Sequence, residues 1–179
     1  MRIMGITGLP GSGKALVSEI ASERGAKIVS MGDIIREEAK KRGEPSKETA
    51  KNLRKEFGDY IVSELTIEKI KKLFDEGWEN SIIVEGIRSH YEVEMFKENF
   101  DDFLILSIFA NETLRFERLK IRKREDDSDD INEFRKRDRT ELGFGMGTVI
   151  ALSDKMIINE SDIESYGEQI KEFFDEINL

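Results

Sequence analysis

Residues 8–15 read Gly8-Leu9-Pro10-Gly11-Ser12-Gly13-Lys14-Ala15. They match the phosphate-loop pattern G-x-x-x-x-G-K-[ST] at every position but the last, where Ala15 stands in place of a hydroxyl. The apolar run 3–7 precedes the loop and an amphipathic pattern opens at Lys14, the strand–loop–helix context that makes this motif specific. Gly8, Gly11 and Gly13 let the backbone curl so that its N–H groups converge on phosphate oxygens. The following helix adds the positive end of its dipole at the same spot. Lys14 is spaced to reach the β- and γ-phosphates, whereas a merely structural glycine turn has no need of it. Ala15 removes one expected Mg²⁺ ligand. Two readings stay open: a kinase whose metal is held by water and an acidic side chain, or a nucleotide binder with weakened catalysis.

Working outward, short apolar runs alternate with longer amphipathic stretches, which predicts an α/β fold with a parallel sheet. Strands are expected at 3–7, 27–30, 81–85, 103–109 and 156–158. They are rich in Ile, Val and Leu with little alternation, as strands covered on both faces require. Helices are expected at about 13–24, 32–42, 47–57, 60–75, 91–99, 112–124, 131–142 and 163–177. Gly43-Glu44-Pro45 breaks one helix, and Gly143 to Gly147 forms a glycine-rich joint before the last strand. No repeat or linker divides residues 1–179, so a single domain is expected.

The chain has no cysteine, which excludes disulfides, thiolate metal sites and a cysteine nucleophile. No segment approaches the ~20 apolar residues of a membrane span, and no signal peptide is evident, so a soluble cytoplasmic protein is expected. A net charge of −9 argues against general nucleic-acid binding. Yet ten basic residues crowd into 115–139: Arg115, Arg118, Lys120, Arg122, Lys123, Arg124, Arg135, Lys136, Arg137 and Arg139. An acidic chain with one basic stretch suits a small anionic ligand there; a solvated charged helix is the plainer alternative.

Two further stretches carry anion chemistry. Gly32-Asp33-Ile34-Ile35-Arg36 opens a helix after the second strand, with Asp33 as a cap and Arg36 one turn later. Taken alone this is also an ordinary helix entrance with a surface arginine. The third strand ends in Glu85-Gly86-Ile87-Arg88. Glu85 stands where a carboxylate holds Mg²⁺ or its waters beside a phosphate loop, and Arg88 lies at the sheet edge where α/β ligands bind. His90 reads as a surface or helix-entry residue, and Asp126 to Asp130 lacks the spacing of a calcium loop.

The loop, Gly32-Asp33-x-x-Arg36 and the strand-end acid-Gly-x-Arg together resemble the adenylate and nucleoside monophosphate kinase family. The nearest form of that resemblance is to archaeal proteins related to adenylate and dephospho-coenzyme A kinases. It departs from the usual Asp-Gly-Phe-Pro-Arg of those kinases, since Glu85 replaces Asp and the proline is missing before Arg88. The resemblance implies a P-loop fold with a five-stranded parallel sheet in the order 2-3-1-4-5. It implies ATP and Mg²⁺ as cofactors, with ATP held by Gly8, Leu9, Pro10, Gly11, Ser12, Gly13, Lys14 and Ala15, and metal by Glu85. Asp33, Arg36 and Arg88 would bind a small phosphorylated acceptor, with acceptor-side helices over about 32–76.

Arg118 and Arg122 lie at i and i+4 on one helix face, followed by Arg124-Glu125-Asp126-Asp127 and then Arg135, similar to the R-x-x-x-R and R-x-D-D…R segments flanking adenylate kinase lids. By that resemblance Arg118, Arg122, Arg124 and Arg135 join Lys14 around the transferring phosphoryl group, under a short lid at about 122–142. The segment from Gly145 to Leu152 would pack near adenine. The implied activity is transfer of the ATP γ-phosphoryl group to a nucleoside monophosphate or similar acceptor. The alternatives are an ATP-binding regulatory protein or weak ATPase, and a dephospho-coenzyme A kinase-like enzyme for which Asp33 would serve an alcohol.

Overall fold

In the computed structural model, which describes residues 2–123 and 127–179, the apolar runs become five parallel strands. The elements run β1 (Ile3–Thr7), α1 (Lys14–Glu23), β2 (Lys27–Ser30), α2 (Met31–Arg42), α3 (Ser46–Phe57), α4 (Ile61–Asp75), β3 (Ile82–Glu85), α5 (His90–Asn99), β4 (Leu104–Phe109), α6 (Glu112–Arg122), α7 (Ile131–Gly143), α8 (Met146–Ala151), β5 (Lys155–Ile158) and α9 (Ile163–Glu176). The sheet order is β2-β3-β1-β4-β5, as the resemblance implies. Ile6 pairs with Glu85 and Thr7 with Ser107, so the carboxyl ends of β1, β3 and β4 converge where the phosphate loop leaves the sheet.

The strands lack alternation because both faces are covered. Met4, Ile6, Ile83, Leu106 and Ile108 face one core with Val17 and Ile20 of α1 and Tyr166, Ile170 and Phe174 of α9. Ile3, Ile82, Val84 and Ile105 face the other, with Val62, Ile67 and Ile70 of α4, Phe96 of α5 and Val149 of α8. Gly5 sits at the centre because the space is already taken. A Cβ there would lie 2.5 Å from Ile87 Cδ1 and 2.6 Å from Ile105 Cδ1.

Two helix boundaries differ from the sequence reading. The helix expected to reach residue 124 ends at Arg122, with Lys123 in the left-handed region at φ 50°. Arg124 lies outside the described residues. A helix, α8, begins within the joint at 143–147, capped at its start by Gly145 at φ 104°. Glycine lowers local helix propensity here, but burial of Met146 and Val149 outweighs it. The segment from Gly145 to Leu152 is therefore not an open loop, and it packs on α5, α7 and β4.

One buried ion pair ties the lid-side helix to the phosphate loop. Arg115 of α6 donates from Nη1 and Nη2 to Asp138 of α7 at 2.9 and 2.6 Å, and from Nη1 to Pro10 O at 3.1 Å. Its Nε donates to Ala110 O at 3.1 Å, and its guanidinium lies over the Phe134 ring. The Asp138→Ala variant strands a buried guanidinium and is expected to lower unfolding stability by about 3–5 kcal/mol in urea titration. Breaking the exposed Arg135–Glu112 pair by Glu112→Ala should leave the urea midpoint unchanged.

Candidate functional site

The loop between β1 and α1 takes the shape its glycines permit. Gly8, Gly11 and Gly13 have φ of 141°, 83° and 104°. Side chains are excluded there by close neighbours as well as by backbone strain. A Cβ would meet Ile108 O at 2.4 Å from Gly8, Arg115 O at 2.7 Å from Gly11 and Asn159 Nδ2 at 2.1 Å from Gly13.

The loop carbonyls are held from outside. Arg115 donates to Pro10 O, Asn159 Nδ2 donates to Ser12 O at 2.8 Å and the Tyr166 hydroxyl donates to Gly13 O at 3.1 Å. Burial pushes the Tyr166 phenol well above its ordinary range, so it remains a donor. Lys14 Nζ donates to Gly8 O at 2.5 Å and to Leu9 O at 3.2 Å. Desolvation lowers the Lys14 ammonium to about 8, opposed by the carboxylates of Glu141 and Glu85.

The loop forms one wall of a cleft of about 470 Å³. Lys14, Arg88, Arg118, Arg122 and Arg137 line it as cations, and Glu85 and Glu141 as carboxylates. Positive charge is thus concentrated in one place on a chain of net charge −9. Each arginine is aimed by a partner. Arg88 Nε lies 3.1 Å from Glu141 Oε2, and the guanidinium lies over the Phe144 ring. Arg118 Nη2 donates to Asn159 O at 3.0 Å and to its Oδ1 at 3.2 Å. Arg122 donates to both oxygens of Asp127 at 2.8 and 2.6 Å, and Arg137 reaches Asp127 Oδ1 at 3.1 Å. Fixed guanidinium groups of this kind stabilise charge developing on phosphoryl oxygens without reorganising.

The backbone that presents Arg88 is fixed as well. Ser89 and Glu92 form a capping box at the start of α5, and Glu92 Oε2 accepts from the N–H groups of Arg88 at 2.7 Å and Ser89 at 3.0 Å. Ser-x-x-Glu before an apolar run is a signal visible in the sequence.

Of the expected site residues, the structure brings together Gly8, Pro10, Gly11, Gly13, Lys14, Ala15, Glu85, Arg88, Arg118 and Arg122. Leu9 and Ser12 belong to the same loop, though neither side chain lines the cleft. Arg36 instead folds back onto Asp33, with Nε 2.9 Å from Oδ1, and both side chains are exposed. Gly32, just before Asp33, does line the cleft, and a Cβ there would lie 3.3 Å from Arg36 Nη1, so this pair stands at its mouth. Arg135 is placed apart, on the outer side of α7 and paired with Glu112 of α6 at 2.7 Å. The face of α7 turned inward carries Phe134, Arg137, Asp138 and Glu141 at helical spacing, and Arg135 lies off that face.

Glu141, Asp127, Asn159 and Arg115 were not singled out as functional from the sequence. Asn159 follows β5 directly, at a strand's carboxyl end where α/β sites gather. Glu141 lies four residues after Arg137. Those positions are the signals that could have found them.

As a holder of Mg²⁺ the cleft is chemically suitable. That ion takes hard oxygen donors, one or two carboxylates with phosphates and water completing the shell. Glu85 spends Oε1 on a hydrogen bond from Ser18 of α1 and still lines the cleft.

A family model described as an AAA domain matches residues 7–135. A UPF0200 protein of Methanothermobacter thermautotrophicus is 47% identical over 96% of this chain and 88% of its own length. Another from Thermococcus sibiricus is 39% identical over 99% of this chain and 96% of its own. Among solved structures, a shikimate kinase from Bacteroides thetaiotaomicron superposes with a TM-score of 0.64 at 14% identity, covering 99% of each chain. TT1252 from Thermus thermophilus gives a TM-score of 0.68 at 14% identity over 98% of this chain and 97% of that one. With a P-loop kinase-like fold, an AAA-domain match over most of its length and full-length relatives at this identity, the chain belongs to the UPF0200 family of archaeal proteins.

Proposed function

We propose that this protein is an ATP- and Mg²⁺-dependent phosphotransferase of the nucleotide kinase type, passing the γ-phosphoryl group to a nucleoside monophosphate or a similar small phosphorylated acceptor. The observation that carries this reading is the single cleft in which the phosphate loop, Glu85 and four arginines face one another. Lys14 and the loop amides hold the donor phosphates. Arg88 binds the acceptor's anion, and Arg118, Arg122 and Arg137 offset charge on the group in transfer. Glu85 would hold the metal, which would supply positive charge to offset that of the donor phosphates. Arg36 and Asp33 at the mouth are in place to meet an acceptor that reaches past Arg88. Arg135, paired with Glu112 on the outer side of α7, is given no part in the transfer here, and Arg124 lies outside the described residues.

Two features bear on the choice of acceptor. A phosphate oxygen on a nucleotide acceptor is already a nucleophile and needs little base help. Asp33, the carboxylate that would serve an alcohol, is engaged by Arg36 instead. Both favour a monophosphate over an alcohol such as dephospho-coenzyme A. The second reading, an ATP-binding regulatory protein or weak ATPase, is favoured by Ala15, whose exposed methyl faces the cleft without a hydroxyl.

Incubating the protein with γ-labelled ATP and a panel of nucleoside monophosphates and dephospho-coenzyme A separates these readings. The expected outcome is label on one monophosphate class, lost in Lys14→Met. ATP bound but untransferred to every acceptor supports the regulatory reading. The Arg88→Ala variant should raise the acceptor KM by roughly 10–100-fold, the scale of a charge-assisted hydrogen bond, and leave ATP affinity near wild type.

A pH dependence follows from Lys14. Bound phosphate favours its ammonium, so the affinity for ATP is full below pH of about 8 and falls as the pH rises through that value. Calorimetry at pH 8.5 in buffers of different ionisation enthalpy should register proton uptake on ATP binding, and Lys14→Arg should abolish it. Equal proton exchange in both proteins contradicts the assignment.

A further inference from the structure

Two departures from the expected pattern meet at one hydrogen bond. Residue 15 is Ala where the loop pattern asks for a hydroxyl, and residue 85 is Glu where the resembling kinases carry Asp. Ser18 lies three residues beyond Ala15 on the same face of α1. Its Oγ donates to Glu85 Oε1, joining α1 to the end of β3 across 67 positions of sequence. A serine inside a helix commonly returns its hydroxyl to the carbonyl four residues back. Ser18 gives its hydrogen bond to Glu85 instead.

We propose that Ser18 is the positioning hydroxyl of the metal-holding carboxylate, taking over for Ala15 from one helical turn further along α1. The inference rests on the phosphotransferase reading of the cleft. With a rise of 1.5 Å per residue, Ser18 stands about 4.5 Å farther along the helix from the loop than Ala15, too far to ligate a metal at the β- and γ-phosphates as a hydroxyl at residue 15 would. It acts through Glu85. The extra methylene of Glu over Asp gives that side chain the reach to meet a hydroxyl set back along α1. One oxygen is then anchored by Ser18, and the other is left for a ligand in the cleft that Glu85 lines with Lys14, whose ammonium feels the Glu85 charge. Partners that orient a ligand in this way change metal affinity by about 10–100-fold when removed. The absent hydroxyl at residue 15 and the longer acid at residue 85 therefore form a matched pair.

The plainer role for this hydrogen bond is to staple α1 to β3, and the two roles separate by measurement. Affinity for ATP is titrated calorimetrically with Mg²⁺ and with EDTA, and thermal midpoints are recorded alongside. In Ser18→Ala the ratio of Mg²⁺-ATP affinity to metal-free ATP affinity is expected to fall by about tenfold, with metal-free binding preserved. Glu85→Gln should lower the same ratio, and it supplies the test if Ser18→Ala fails to fold. Adding Ala15→Ser to Ser18→Ala is expected to recover part of the metal effect. An unchanged ratio in Ser18→Ala or in Glu85→Gln overturns the proposal, as does an equal loss of binding with and without metal. Failure of the wild-type protein to bind ATP under either condition overturns the phosphotransferase reading itself.

Discussion

The phosphate loop holds its shape because its carbonyl oxygens are captured from outside. Pro10, Ser12 and Gly13 direct theirs to Arg115, Asn159 and Tyr166, which come from α6, the end of β5 and α9. Lys14 takes those of Gly8 and Leu9. A loop of glycines has high conformational freedom when unfolded, and each of these bonds helps to offset the entropy of fixing it. They also dispose of the acceptor side of each peptide, which leaves N–H groups to gather on the inner side where an anion belongs. Elements far apart in sequence are recruited to this task, so the integrity of the site and of the fold depend on the same contacts.

The same economy extends across the cleft. Arg115 serves both Pro10 and Asp138, so the helix bearing Arg137 and Glu141 is fastened to the donor loop. Glu141 reaches Arg88 on the opposite wall, and Asp127 gathers Arg122 and Arg137. The lid-side helix is therefore braced against both walls of the cleft. Guanidinium groups held by carboxylates keep their geometry at the cost of some positive charge, a balance suited to orienting a phosphoryl group and to releasing it afterwards.

Much of this was legible in the sequence. The strands could be read because both faces are buried, which makes each a continuous apolar run, and Lys14 fixed the meaning of the glycines before it. α8 was hidden because its glycines argue against helix, while the burial of Met146 and Val149 that overrides them exists only in three dimensions. Arg135 and Arg137 are only two residues apart in one basic run, and composition cannot choose between them. Packing of Phe134 and Asp138 into the interior turns Arg137 toward the cleft and Arg135 away. Asn159 and Tyr166 carried no motif, since their role depends on β5 and α9 lying beside a loop about 150 residues earlier.

The central claim is that one cleft holds a triphosphate from the loop across to the arginines. A crystal structure with Mg²⁺ and a non-hydrolysable ATP analogue tests it most directly. The account predicts the β-phosphate cradled by the amides of 8–15, Lys14 turned from Gly8 O onto the phosphates, and the γ-phosphate facing Arg88, Arg122 and Arg137. A triphosphate bound elsewhere, or one in the loop whose γ-phosphate points away from those arginines, would contradict it.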